Sequence, residues 1–302
     1  TQAGLRHTER VDRLVMFKRK QVAPERRTGK ALLRQVGIFP YAILYKDGKV
    51  EKVAYGGEEI AEAQVAAKAK NRSLAGPYDD CYLTAGLCTH CPDCLIYGYA
   101  AIEAEGARKS RVMTDSCFSI RPYPLIQRLM KFNVIDEKTQ TSGTITEYDY
   151  TLPEVFLPSV ITTVDLTADE FVYVLGDILR TTRYGKESSR QGFIRNHILA
   201  IAFSDVELFA NLEFTQALYD ALADDPEINL EEGFLSLADV EKHVPGVLKL
   251  LTDDIYGRLE WVQGEELQKL LGEVKALYND EARLAEFLRN LNTASASFVV
   301  KS

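Results

Sequence analysis

Cys81-Tyr-Leu-Thr-Ala-Gly-Leu-Cys88-Thr-His-Cys91-Pro-Asp-Cys94-Leu-Ile-Tyr-Gly98 is the stretch around which this chain is organised. Four of the five cysteines fall within its first fourteen residues, and the last three keep a Cys-x-x-Cys-x-x-Cys rhythm. Short knuckles of this kind gather thiolates around one tetrahedral ion, and soft sulfur donors suit zinc. The spacing makes Cys88, Cys91 and Cys94 ligands. Cys81, Cys117 and His90 compete for the fourth place. Cys81 is preferred, because Cys117 is more distant in sequence and His90 adjoins Cys91, so that both converge on one ion only with strain. Disulfides fit less well: nothing at the N-terminus reads as a secretory signal, and a reducing cytosol keeps thiols free. An iron–sulfur cluster is the second reading. Such runs usually add a further cysteine followed by proline, whereas the proline here follows Cys91. The expected cofactor is a structural Zn²⁺ holding a loop-rich excursion too small to build its own core.

Outward from this excursion, at about 74–97, the chain alternates strand and helix signals. Residues 11–20 read as a strand growing basic toward its end, broken by Pro24, with a short helix at 28–35. Residues 41–55 read as a hairpin with Asp47-Gly48 as a primed turn. Residues 58–70 are alanine-rich and helical. Downstream, 139–153 read as a Thr/Ser-rich hairpin with Gly143 at its tip, and 155–164 as a β-branched strand. Thr167 and Glu170 form a capping box opening a helix to Arg180. A polar, basic loop at 181–192 precedes an apolar strand at 193–203. Ser204 with Glu207 reads as a second cap, 205–291 as helical and acidic, and 298–300 as a returning strand. Strand, helix, long insertion, strand, helix, strand is the order of an interrupted ferredoxin-like core. The expected class is α+β: a ferredoxin-like core at 1–40 and 98–204, with a hairpin insertion near 139–153. A hairpin and zinc-binding insertion occupies 41–97, an acidic helical region 205–291, and a core strand 292–302.

The 302 residues are 46% hydrophobic, ample for a sizeable core. No run approaches the eighteen or more apolar residues of a membrane span, so the expected compartment is the cytoplasm. The net charge of −8 is unevenly spread. Residues 6–34 carry ten bases against three acids, whereas 205–286 carry twenty acids against six bases. Polyanion binding depends on such a local basic surface and not on the net sum.

Four stretches together resemble one family: Phe17-Lys-Arg-Lys20 with Arg26-Arg-Thr-Gly-Lys30; Cys91-Pro-Asp-Cys-Leu-Ile-Tyr-Gly98; Ser110-Arg-Val-Met-Thr-Asp115; and Leu179-Arg-Thr-Thr-Arg-Tyr-Gly185 before Arg195-Asn-His197. Over residues 11–220 the chain resembles the RNA-binding backbone subunit of type I-D CRISPR effector (Cascade) complexes, in the Cas-seven superfamily. The aromatic-Gly pair followed by Ser-Arg-Val-x-x-Asp is similar to a pattern across such subunits. The cysteine element resembles the zinc-binding insertion of the type I-D branch. The resemblance implies an RRM-like core with lid, helical and zinc-binding additions. It also implies several copies along one crRNA guide, pairing of that guide with target DNA, and contacts to a large subunit and guide-end caps. The RNP aromatic motif is absent, so a stacking RRM surface is not expected.

Holding a guide without reading its bases calls for phosphate and ribose contacts. Arginine forks, lysine charges and helix N-terminal amides supply them. The expected contacts are Lys18, Arg19, Lys20, Arg26, Arg27 and Lys30 around the first turn, where Gly29 would let the backbone approach a phosphate. Lys109 and Arg111 precede a strand. Arg180 precedes the 181–192 loop and Arg183, Lys186 and Arg190 lie within it, with Tyr184 either a stacking ring or a packed loop aromatic. Arg195 reads equally well as a strand-surface ion pair.

A metal-dependent ribonuclease of the same fold is the alternative, since relatives in type III complexes use a loop aspartate to cut RNA. The only acid in the corresponding loop here is Glu25, among arginines. Asp115 reads as structural and His197 as a core histidine. A closed four-cysteine site lacks the open position that catalysis needs, so the expectation is a non-catalytic scaffold.

Overall fold

From the N-terminus, strand β1 (Val15–Met16) runs directly into helix α1 (Lys18–Gln35), followed by β2 (Tyr41–Lys46), β3 (Lys49–Tyr55), α2 (Gly56–Lys70) and β4 (Ser73–Tyr78). The short helix α3 (Pro92–Tyr97) leads to β5 (Tyr99–Ala100), β6 (Ala107–Arg108), β7 (Val112–Thr114), β8 (Cys117–Phe118), α4 (Tyr123–Ile126), β9 (Gln127–Ile135) and β10 (Ser142–Thr151). Then come β11 (Ile161–Thr163), α5 (Ala168–Arg180), β12 (Ile201–Ser204), α6 (Asn211–Ala223), α7 (Leu237–Thr252), β13 (Leu259–Val262), α8 (Gly264–Asn279) and α9 (Glu281–Lys301). The structure, a computed structural model, describes residues 1–82, 84, 86–100, 106–135, 142–185, 192–232 and 235–301. The class is α+β: helices with small sheets, the largest among the described residues ordered β3-β2-β4.

Two compact units account for the chain. One comprises Thr1–Lys18, Thr114–Val160 and Ile201–Trp261; the other comprises Arg19–Met113, Ile161–Ala200 and Val262–Ser302. The first has its core between α6 and α7. Phe214, Ala217, Leu218 and Leu222 face Val240, Val244, Val247 and Leu248, a three-and-four spacing that lines one stripe of each helix. It also carries the antiparallel ribbon β9–β10, paired from Gln127 with Thr151 to Ile135 with Ser142. Met130 and Tyr148 are cross-strand partners on that ribbon. Both are exposed, as are Leu129 and Tyr150.

The second unit holds the larger core. Leu32 and Leu33 of α1, Tyr41 and Ile43 of β2, Ile96 and Tyr97 of α3, Tyr173 and Val174 of α5, and Leu284, Leu288 and Leu291 of α9 form one buried cluster. All four excursion cysteines belong to this same cluster. The excursion therefore borrows the main core and is not a free-standing appendage.

Several expectations hold. The Asp47-Gly48 turn has φ of 53° and 72°, the left-handed pair that a two-residue hairpin requires. The Thr167 hydroxyl accepts from the Glu170 amide, and the Glu170 carboxylate accepts from the Thr167 amide. Others are corrected. Residues 11–20 are not one strand: only Val15–Met16 pair, and α1 already begins at Lys18 and continues through Pro24. Proline removes a single helical hydrogen bond, and burial of Gln21, Pro24, Glu25, Gly29, Leu32 and Leu33 on one face sustains the helix across it. Gly143 falls within β10, at its register shift, and residues 136–141 lie outside the described residues. Of the strands expected at 155–164 and 193–203, only 161–163 and 201–203 form, the latter running on to Ser204. Ser204 does not cap a helix; its hydroxyl accepts from the Val206 amide, and α6 begins at Asn211. Residues 298–300 are helical, within α9, and do not return as a strand.

Candidate metal centre and the basic helix beside it

Cys91 is the N-cap of α3, Pro92 its first residue, and Cys94 lies one turn in. Proline at the first helical position is compatible with a helix start, since that amide has no helical partner. The loop before it doubles back through Thr89, whose φ is 64°. This turn brings Cys88 to the helix start, and the Cys91 amide donates to the Cys88 sulfur at 3.3 Å. The Cys88 amide donates to the Cys81 sulfur at 3.4 Å. The sulfurs of Cys81 and Cys94 are 3.3 Å apart, and the four ligand atoms of Cys81, Cys88, Cys91 and Cys94 lie within 4.8 Å of one another, all buried.

The competitors for the fourth position are elsewhere. His90 directs Nδ1 to the Cys88 carbonyl at 2.5 Å. Cys117 belongs to the first unit, where its sulfur accepts from Asn211 Nδ2 at 3.6 Å. Hydrogen bonds from Cys81, Cys91 and Cys94 draw the Cys88 thiol well below its usual range. Those that Cys91 makes with Cys81, Cys88 and Cys94 push it up. Binding a cation would require these sulfurs to release their protons.

Between the two α3 cysteines stands Asp93, 0% exposed. Arg26 of α1 grips it with both prongs, Nε to Oδ1 at 3.0 Å and Nη2 to Oδ2 at 2.7 Å. Lys30, one turn further along α1, places Nζ 3.1 Å from Oδ2 and donates to the Cys81 carbonyl at 2.8 Å. Arg26 also donates to the Gly98 carbonyl and lies over the Tyr97 ring. Burial works against both cations, yet Asp93 and the neighbouring cysteines hold them above their ordinary values.

Gly98 has φ of 70°, and a β-carbon there would meet the Arg108 carbonyl oxygen at 2.3 Å. Only glycine fits where this backbone crosses the strand that precedes Ser110. Arg111 donates to the carbonyls of Leu95 and Asp165 and pairs with Glu170, the capping residue of α5. The aromatic-Gly and Ser-Arg-Val pair is thus a packing device joining α3, β7 and α5, and Arg111 is committed to it.

The remaining basic positions divide similarly. Lys18, Arg19, Lys20, Arg27, Lys109, Arg180 and Arg183 are exposed. Arg180 lies over the Tyr278 ring. Lys186 and Arg190 lie outside the described residues. Tyr184 is 4% exposed, donates to Glu25 at 3.2 Å and accepts from Asn196 Nδ2 at 2.6 Å. Its ring is a loop anchor and is not displayed for stacking. The Thr181 hydroxyl donates to that of Thr28 at 2.8 Å. These anchors tie both ends of residues 181–184 to α1. Asn196 also donates to the carbonyls of Ile178 and Thr181; the sequence marked it only as part of the Arg195-Asn-His197 stretch, with no sign of this anchoring part. Glu25 is 3% exposed, and burial raises its carboxyl to about 7 against the Tyr184 hydrogen bond. His197, expected in the core, is exposed. Arg195 lies over the Phe193 ring.

No helix among the described residues is long and apolar enough to cross a membrane. No curated protein matches the sequence. The crystal structure of Thermofilum pendens Csc2 is similar in fold, with a TM-score of 0.52 and 18% identity over 98% of this chain and 82% of that one. The sequence model of the family described as Csc2 Crispr matches residues 1–288. With nearly the whole chain matched, this protein belongs to the Csc2 family of CRISPR proteins.

Proposed function

We propose that this chain is a non-catalytic, crRNA-binding backbone subunit of a type I-D CRISPR effector complex in the cytoplasm. In this reading several copies line one guide, hold it by phosphate and ribose for pairing with target DNA, and meet a large subunit and guide-end caps. The observation that carries the reading is the outward face of α1. Lys20 and Arg27 are exposed and lie seven residues apart on one side of the helix, with Arg19 beside them. Two helical turns separate such positions by roughly 10 Å, so the cations repeat along an axis. Lys18, Lys109 and Arg183 extend the basic set. Arg26, Lys30 and Arg111 serve it indirectly, by holding the scaffold.

The four-cysteine set fits one divalent ion. Around one tetrahedral zinc with Zn–S of about 2.3 Å, neighbouring sulfurs stand about 3.8 Å apart, and the four ligand atoms here gather within 4.8 Å of one another. A cluster of several irons would need more room. Bound Zn²⁺ would supply a fixed tetrahedral crosslink. The buried Glu25, engaged by Tyr184, supports a scaffold without a cleaving acid.

Equilibrium binding of single-stranded RNA tests the reading. Replacing Arg19, Lys20 and Arg27 together with alanine should weaken binding similarly for unrelated sequences and reduce the salt slope by roughly 0.7 per lost phosphate contact. Wild-type affinity with an unchanged slope would sink it.

A further inference from the structure

We infer that Asp93 is a positioning residue through which the four-cysteine centre sets the RNA-facing side of α1, so that metal occupancy and RNA affinity are linked. The inference rests on the RNA-binding reading above and adds its regulation.

Three observations carry it. Asp93 sits between Cys91 and Cys94 in a six-residue helix, so whatever fixes those sulfurs fixes its carboxylate. That carboxylate is wholly buried, and its described partners Arg26 and Lys30 both belong to α1. Lys30 also reaches the carbonyl of Cys81, a third member of the sulfur set. Two anchors one turn apart fix both the height of a helix and its rotation about its own axis. The side they do not occupy is the one that carries Lys20 and Arg27, both exposed.

Charge explains why the link is strong. Four thiolates around a divalent ion leave two negative charges, and Asp93 adds another. Arg26 and Lys30 are the cations brought to this buried group. Disordering the sulfur loop withdraws Asp93 and leaves two part-buried cations without their anion, an arrangement a low-dielectric interior does not tolerate in place. Helix α1 then shifts or turns to hydrate them, and the outward cations move with it.

The test uses the full chain, zinc-loaded and chelator-stripped, with one single-stranded RNA titrated at several salt concentrations. Wild type, Asp93→Asn and Arg26→Gln are compared; Arg26→Gln breaks the link from the helix side without touching the cysteine loop. Stripping should weaken RNA binding by wild type roughly five- to tenfold, within the range of ordinary coupling between sites. Zinc-loaded Arg26→Gln should keep one metal equivalent, bind RNA as weakly as stripped wild type and lose nothing further on stripping, with the salt slope unchanged. Amide exchange in α1 should quicken in both variants. Reciprocally, RNA should tighten zinc by the same factor in wild type and not in the variants.

Three results overturn the inference: loaded Arg26→Gln binding RNA as wild type does; stripping costing wild type and Arg26→Gln the same factor, by unfolding or otherwise; or the Arg26→Gln slope falling by roughly 0.7 while metal dependence persists, which makes Arg26 a phosphate ligand. The Lys20→Ala/Arg27→Ala variant separates the two failures. Wild-type binding by it removes the RNA reading itself. Weakened binding by it beside unchanged Arg26→Gln removes only the link.

Discussion

A β-carbon on Gly29 of α1 would stand 2.5 Å from a carboxylate oxygen of Asp177 on α5, and 2.3 Å from the Tyr173 hydroxyl. Gly29 is buried, so the helix backbone approaches a protein carboxyl there and not a phosphate. Gly29→Ala gains about 1 kcal/mol of helix propensity. Overpacking a fixed core costs about 1–3 kcal/mol, and both obstructing groups belong to wholly buried side chains. The net expectation is a loss of up to about 2 kcal/mol, read as a lower denaturant midpoint at unchanged slope. A stabilised variant would show that α1 and α5 separate easily.

Removing the metal should reach beyond the cysteine loop. Because the four cysteines sit in the main cluster, Cys88→Ser or Cys94→Ser should lose one metal equivalent and also lower the principal melting transition. Elemental analysis with calorimetry checks both parts. Full metal content in Cys88→Ser, or an unshifted melt after metal loss, contradicts the expectation.

Glu25 gives the protein a pH dependence of definite sign. Its carboxyl rises from 4.5 to about 7 on folding, because burial disfavours the charge. The folded state therefore holds this proton where the unfolded chain has released it. The favourable contribution is complete below pH 4.5 and is lost as pH rises toward 7. Glu25→Gln keeps the acceptor for Tyr184 and removes the ionisation. It should be more stable than wild type above pH 7, by up to about 3 kcal/mol, with the difference vanishing near pH 4.5. Thermal melts of both proteins across that range decide; a constant difference contradicts the assignment.

Arg111 and Lys109, two positions apart, should behave oppositely. Arg111→Ala strands the buried Glu170 carboxylate and should cost about 3–5 kcal/mol. Lys109→Ala, at an exposed position, should stay within about 0.5 kcal/mol and appear only in RNA binding. Denaturation curves beside binding isotherms separate the two. Equal stability losses would contradict the distinction.

The elements that depend on local chemistry were legible in sequence: the Asp47-Gly48 turn, the Thr167 capping box and the cysteine knuckles are each specified by a few adjacent residues. The fourth ligand needed the fold, since Cys81 reaches Cys94 only when the loop closes. Pro24 misled because a missing amide is a local signal, whereas the burial that sustains α1 across it is not local. The basic run showed that a polyanion face was plausible but not which cations were available. Arg6 pairs with Asp224, Arg26 and Lys30 with Asp93, and Arg34 with Asp80. Each of these acids is remote in sequence, so the charge count overstated the free surface.

The ribbon β9–β10 carries a cost of its own. Among the described strands nothing pairs with either outer edge, and one face displays Met130, Tyr148 and Tyr150. Unpaired edges beside exposed aromatics are templates for further strands. The isolated chain should therefore be colloidally fragile, staying dispersed when dilute and joining edge to edge as concentration rises, with charged substitutions on this ribbon as the remedy for preparing it alone.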